Sequence, residues 1–301
     1  MVLVVDCHLG QTALSTHRFL KMFEQITILG AGLLGASIGM AARKRAICKR
    51  VHVWSRRAET RSEAAKEDWV DAVFDHSGEA CRASQLIVLC TPVDSIVPLL
   101  GQVAESLDNS ALVTDVGSTK GNICRDAAAL GTLRAQFIGS HPMAGSEQTG
   151  MTHAEAELFE GAACIVTPLE ATPEAPTSQL KDFWTALGMR VACMSPERHD
   201  EAVAHISHLP HLLTAALCSF LAERDPSWKA LAGGGLRDTT RIAAGDPNLW
   251  RGILEGNREE VARAVTGLEG ELQQIKAALI NKDTTALEQY LESGKRYRDQ
   301  L

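Results

Sequence analysis

The sequence predicts two domains in series: a doubly wound α/β domain built on a parallel sheet, then an all-α C-terminal domain. Three observations carry this. The first half alternates short apolar runs with helical patterns, the rhythm of strands joined by crossover helices. From Pro196 to Leu301 only helical periodicity remains. And 301 residues exceed what one core usually serves.

Taken in order, ITILG (26–30) reads as a strand and 33–44 as a helix. VHVW (51–54) is a second strand, followed by a helix over 57–67. LIVLC (86–90) and ALVTDV (111–116) are continuous apolar runs, as expected of strands covered on both faces. QFIGSHP (136–142) and ACIVTP (163–168) follow as strands. After the Pro-rich loop LEATPEAPT (169–177), a helix and the strand MRVACMS (189–195) close the domain. The boundaries are 22–195 and 196–301. Residues 1–21 read as a disordered extension or a mis-assigned start. MVLVVDCHLG lacks a basic segment and carries Asp6, which makes it a poor signal peptide. In the second domain one long helix is expected over 198–222, with others near 225–233, 246–256, 257–282 and from Thr284. Gly233-Gly234-Gly235 interrupts them. ISHLPHLLTAALCSFLA is apolar nearly all round, which predicts burial in a bundle shared between two subunits.

With 45% hydrophobic and 22% charged residues, the chain falls in the soluble globular class. A net charge of −7 disfavours nucleic acid as a partner, and implies that an anionic substrate is caught by local Arg, Lys or His. No apolar stretch reaches the length of a membrane span. The eight cysteines form no CxxC pair, and several, such as Cys90 and Cys164, lie in apolar runs. They read as small buried hydrophobes of a reducing compartment, the cytoplasm.

Gly30-Ala31-Gly32-Leu33-Leu34-Gly35 is a GxGxxG set between a strand and a helix. That context marks a Rossmann-like dinucleotide site: a tight turn, a close backbone approach for a diphosphate, and close helix packing. An NAD site usually has an acidic residue at the end of the second strand, for the ribose hydroxyl. Here Ser55 stands in that place, followed by Arg56 and Arg57. The arginine pair suits a 2′-phosphate and favours NADP over NAD. The alternative is that one Arg stacks on adenine and the other is solvated. Thr91-Pro92, at the carboxyl end of the third apolar run, line the cofactor channel, or Pro92 simply ends the strand.

Two dense segments follow: TDVGSTKG (114–121) and GSHPMAGSE (139–147). The helical half adds SHLPH (207–211) and GGGLRDTTRIA (233–243), then Asp246-Pro247 and Trp250. With GSHPMAG, ISHLPH and GLRDTTRIA in this order, the chain resembles the prephenate/arogenate dehydrogenase family from about Gln25 to its end. The resemblance implies an active site between a dinucleotide domain and a helical domain that pairs two subunits into a homodimer. His141 resembles the catalytic base. Ser118 resembles the serine that bonds this histidine and the substrate hydroxyl, and it also borders the cofactor. Arg241 resembles the substrate-carboxylate arginine, and His211 and Trp250 resemble pocket residues. Glu147, Asp200, His208 and Arg237 match positions of a gating or pocket-rim network.

The chemistry asks for these types in its own right. A ring alcohol that gives up a hydride must also lose its proton, and a histidine near pKa 6.5 can take it. A serine can hold the hydroxyl in line. An arginine can bind a carboxylate bidentately, best the side-chain carboxylate rather than the one that leaves as CO2. Aromatisation drives that loss, so no metal is required. His205, His208 and His211 recur every three residues with His199 nearby, yet neither HExxH nor a cysteine partner accompanies them, and the metal reading is set aside. Duller readings stand beside these: His141 as a strand-end residue, Asp238 as an ion-pair partner, Trp250 as core. Rival activities are arogenate or dual-specificity cyclohexadienyl dehydrogenase, and another two-domain hydroxyacid dehydrogenase. The last centres on a lysine base, but 196–257 holds only Lys229, outside the motifs.

Overall fold

The structure is a computed structural model that describes residues 22–130, 137–145 and 148–301. The expectation for residues 1–21 falls outside the described residues. The first half runs β1 (Phe23–Leu29), α1 (Leu33–Lys44), β2 (Cys48–Trp54), α2 (Ala58–Ala64), β3 (Ala72–Phe74), α3 (Ser77–Cys81), β4 (Leu86–Leu89), α4 (Val93–Val103) and β5 (Leu112–Asp115). The sheet order is β3-β2-β1-β4-β5 and every pairing is parallel. Helices cover both faces, so Ile26, Ile28, Val51, Val53, Ile87 and Val88 are wholly buried, which is why these strands read as unbroken apolar runs. The topology reverses at β1 and β4, where such sheets open a crevice at their carboxyl ends.

After α5 (Gly121–Ala129) come β6 (Gly139–Pro142), β7 (Ala163–Thr167), α6 (Glu174–Ala186) and β8 (Arg190–Cys193). They form a second sheet, β6-β7-β8, in which β6 runs antiparallel to β7. A bridge between Val113 and Phe137 docks it against β5. The doubly wound parallel sheet expected from the sequence is the β1–β5 sheet, and the strands after it form a separate, mixed sheet. Among the described residues only a short 3-10 turn, Met151–His153, lies between β6 and β7, and a connection without a crossover helix suits an antiparallel pair. Edge-on contacts among Phe23, Phe159, Phe183 and Trp184 lock α6 onto the sheets.

The helical half departs from expectation at its start. The helix expected over 198–222 is α7 (Pro196–Val203), a π turn (Ala204–His208) and α8 (Leu209–Ala222). Pro210 has no N–H to continue the α-helical ladder, and the wider turn absorbs the gap. A 3-10 turn (Pro226–Leu231), α9 (Gly234–Thr240), α10 (Pro247–Gly256), α11 (Arg258–Asn281) and α12 (Thr284–Arg298) complete the chain. The triple glycine opens α9 rather than merely interrupting helices. This half buries few apolar side chains: Ala204, Val261 and Ala264 centre a small cluster with Leu209, Leu212, Leu254 and Val265. Ile206, Phe220, Trp228, Leu231, Leu279, Ile280 and Leu291 are each more than half exposed. The burial expected for the apolar α8 sequence is therefore not supplied within one chain. Among the described residues no helix is long and apolar enough to cross a membrane. Of the cysteines, Cys193 is exposed, whereas Cys48, Cys81, Cys124 and Cys164 are buried as expected.

Candidate active site

The chain leaves β1 through Gly30-Ala31-Gly32. Gly30 has φ +114°, and a Cβ there would stand 2.5 Å from the Cys90 carbonyl oxygen. A Cβ on Gly35 would lie 2.0 Å from the Gly30 carbonyl oxygen, so α1 packs this close only without a side chain. Beside Gly32 the space is open: a Cβ would meet nothing within 4 Å. No side chain caps the first turn of α1 and no acidic residue lies in it. The helix end thus presents free N–H groups and a partial positive charge to an anion. At the adjacent end of β4, the Thr91 hydroxyl is buried with no partner among the described residues, and Pro92 opens α4. An orphaned hydroxyl beside an open glycine turn fits a bound dinucleotide.

Ser55, half-buried, and the exposed Arg56 and Arg57 follow β2. Arg61 on α2 holds this loop: its Nη1 donates to the carbonyls of Ser55 (2.8 Å) and Arg56 (3.1 Å), and its Nε donates to Asp75 (3.1 Å). Sequence reasoning missed Arg61, which looks like one more solvated helix residue.

The floor of the crevice is a buried polar lattice between β5 and β6. Thr114 Oγ1 donates to the Ile138 carbonyl (2.7 Å), and Ser140 Oγ donates to that of Asp115 (2.7 Å). The Asp115 carboxylate accepts from Ser140 N (3.2 Å) and Gly117 N (2.8 Å), and pairs with the Lys120 ammonium, both side chains being wholly buried. A buried ion pair persists when its remaining hydrogen-bonding capacity is filled, as here. These bonds clamp β6 and place the next residue, His141.

His141 is 7% exposed. Its Nδ1 lies 2.8 Å from His199 Nε2, and His199 Nδ1 lies 2.8 Å from Asp200 Oδ1. The Asp200 carboxylate accepts in addition from the backbone N–H groups of Lys120 (2.7 Å) and Gly121 (2.8 Å). Asn257 Nδ2 donates to the Asp200 carbonyl (2.8 Å) and contacts His208 Nδ1 (3.2 Å). Burial, then the neighbouring His199, Lys120 and His208, hold the His141 imidazolium well below the usual histidine range. The ordinary pKa expected from sequence is corrected accordingly. Burial pushes His208 down to about 4 against the opposing pull of Asp200. It lowers His199 and His211 too, with Asp200 partly offsetting the effect at His199.

The structure rearranges several expectations. Among the described residues no hydrogen bond joins Ser118 to His141, whose Nδ1 is held by His199. Ser118 is half-buried in the turn after β5. Asp200 and His208 are 7% and 0% exposed, so they belong to a buried network and not to a rim. His211 stacks on Trp250 (3.5 Å between centroids, 10° between planes), and His208 meets the same indole edge-on (6.1 Å, 85°). A Cβ on Gly245 would fall 2.6 Å from Trp250 Nε1 and 3.1 Å from His211 Cε1, so this glycine, unnoticed in the sequence, permits the stack. Asp246 caps α10 by accepting from Asn248 N (2.8 Å), which fixes Trp250 one turn later. His208 Nε2 and His211 Nδ1 are buried without partners among the described residues. Arg241 opens a 3-10 turn packed on α8, with its side chain exposed like that of Arg237. His205 turns outward and bonds the Glu201 carbonyl (2.8 Å). Glu147 lies outside the described residues.

Comparison with known proteins gives a consistent result. Residues 38–193 match the family model described as "Prephenate dehydrogenase, nucleotide-binding domain", and 195–293 match "Prephenate dehydrogenase, dimerization domain". Prephenate dehydrogenase of Bacillus subtilis is 33% identical over 93% of this chain and 77% of its own length. The structure of prephenate dehydrogenase from A. aeolicus, in complex with hydroxyphenyl propionate and NAD+, superposes with a TM-score of 0.86 at 30% identity, covering 92% of this chain and 98% of that one. Synechocystis arogenate dehydrogenase superposes with a TM-score of 0.80 at 31% identity, covering 92% and 99%. A Rossmann-like nucleotide-binding domain and an all-helical domain meet at a buried histidine network, and the chain belongs to the prephenate dehydrogenase family of oxidoreductases.

Proposed function

We propose that this protein oxidises and decarboxylates prephenate to 4-hydroxyphenylpyruvate, with NADP preferred over NAD, on the route to tyrosine. The observation that supports this best is His141: a buried imidazole on β6 of the sheet half, hydrogen-bonded to His199 of the helical half and close to His208, which meets Trp250 edge-on. A bound nicotinamide would supply the acceptor for the hydride of the carbinol carbon. His141 takes the hydroxyl proton as that hydride leaves. Ser118 holds the hydroxyl in line. The ring C–CO2 bond then breaks, its electron pair aromatises the ring, and His141 returns its proton to the ring oxygen. Arg241 binds the side-chain carboxylate. Trp250, held flat by His211, walls the ring. Gly30, Gly32 and Gly35 would hold the cofactor's diphosphate, and Thr91 and Pro92 would line its channel. Arg56 and Arg57, on the loop braced by Arg61, meet a 2′-phosphate.

His211 favours prephenate over arogenate. Its imidazole, with a pKa lowered by burial and an unfilled Nδ1, would donate to the keto oxygen as its Nδ1–H tautomer, and among the described residues no acidic group is placed beside it for an ammonium. Steady-state rates with both substrates and both nicotinamides test the assignment. A large preference for arogenate, matching the named activity of the Synechocystis relative, would overturn the substrate choice. The exposed apolar side chains of α8, α11 and α12 favour a homodimer through the helical half, placed in the cytoplasm. Light scattering showing a monomer at micromolar concentration would count against it.

A further inference from the structure

We infer that His199, with Asp200 behind it, is a positioning residue that sets the tautomer of His141 and thereby creates the base. The inference rests on the proposed role of His141, and the hydrogen bonds carry it. Asp200 can only accept, since its carboxylate already takes the N–H groups of Lys120 and Gly121. Its contact with His199 Nδ1 (2.8 Å) therefore places a proton on that nitrogen. A neutral His199 then carries a lone pair on Nε2. His141 Nδ1, 2.8 Å away, must be the donor of the next bond. One proton remains on His141, on Nδ1, and Nε2 is left bare to receive the substrate proton.

Among the described residues, this hydrogen-bonded chain is what chooses between the two tautomers of the buried imidazole. In the wrong one, Nε2 carries hydrogen and no base exists. The arrangement also serves the charged state. Once His141 has taken the proton, its Nδ1–H bond to His199 is charge-assisted, and the Asp200 anion stands two bonds behind. No proton has to reach Asp200, whose charge three donors stabilise. Facing groups oppose the charge: Lys120, paired with Asp115, from the β5 turn, and His208 from the π turn, while the Cys164 thiol of β7 is kept uncharged by burial. Among the described residues, Asp200 is the anion that reaches His141 through a hydrogen-bonded path.

Two measurements decide the matter. In neutron diffraction of the wild-type protein at neutral pH, deuterons are expected on Nδ1 of both His141 and His199. A deuteron on His141 Nε2 with Nδ1 bare would overturn the inference, and this arm needs neither turnover nor a variant that folds. In kinetics, His199→Ala is expected to lower kcat for prephenate about 10- to 100-fold. NADP affinity should be unchanged, and the acidic limb of kcat/KM should shift from its wild-type position. His199→Gln, whose amide oxygen can still accept from Nδ1–H, should recover much of the loss. A His199→Ala enzyme with kcat within about twofold of wild type and an unmoved limb would contradict the inference. If His141→Asn is inactive at the same time, only the positioning role fails. If His141→Asn is fully active, the base assignment itself fails.

Discussion

The two halves of the chain bury different things. The sheet half encloses two apolar clusters, with strands β1, β4 and β5 nearly sealed from solvent. The helical half encloses a handful of small side chains and leaves Phe220, Leu231, Ile280 and Leu291 outside. Between them, what is buried is mostly polar: His141, His199, Asp200, His208, His211 and Asn257. One half is a finished platform and the other leaves much of its apolar surface uncovered. The proposed chemistry occupies the seam, where buried groups are held by hydrogen bonds instead of by apolar packing. Buried polar networks of this kind are high-stakes, since each member loses water and relies on its partners.

The contrast can be broken from the sheet side first. His141→Asn should lower kcat by roughly two to four orders of magnitude while leaving cofactor binding intact. Stopped-flow turnover and a cofactor titration on one preparation check both parts.

Acid should weaken the seam before the cores. His208 moves from 6.5 in the unfolded chain to about 4 in the folded protein. A histidine whose folded pKa is lowered is fully compatible with folding above its unfolded pKa. It costs stability as pH falls through the window between the two values. From pH 6.5 towards 4 the loss should reach about 3 kcal/mol from His208 alone. His141, His199 and His211 act in the same direction. Denaturant midpoints measured across this range in wild type and His208→Gln check it; a flat profile in wild type would contradict the burial of neutral histidines.

From the helical side, Arg241→Ala should act mainly on substrate affinity, raising KM for prephenate roughly 10- to 50-fold. A loss confined to NADP binding would move Arg241 out of the substrate role. The smallest effect is expected at the outer edge of the platform. Arg56→Ala with Arg57→Ala should weaken NADP roughly 3- to 10-fold more than NAD. Equal weakening of both would remove the 2′-phosphate from the reading.

What could be read in the sequence tracks how local each feature is. The GxGxxG was legible because its three glycines act within one turn, and the geometry at Gly30 and Gly35 gives each its reason. The helical half was legible through its period, apart from the π turn, although Pro210 was a visible cause for it. His141, Arg241 and Trp250 were reached through resemblance. The partners of His141 were not, because its bond to His199 spans 58 residues and no periodicity encodes such a pairing. The direction of β6 was hidden for the same reason: an apolar run does not say which way its neighbour runs. Arg61 and Gly245 escaped because their roles lie in what they hold apart or together, and their neighbours in sequence do not show it.

A crystal structure with oxidised NADP and 4-hydroxyphenylpyruvate bears on the seam most directly. The ring oxygen should lie within about 3 Å of His141 Nε2, with the nicotinamide across the ring and the side-chain carboxylate on Arg241. An aromatic ring bound away from His141, or a protein group already bonded to that Nε2 in the complex, would contradict the assignment.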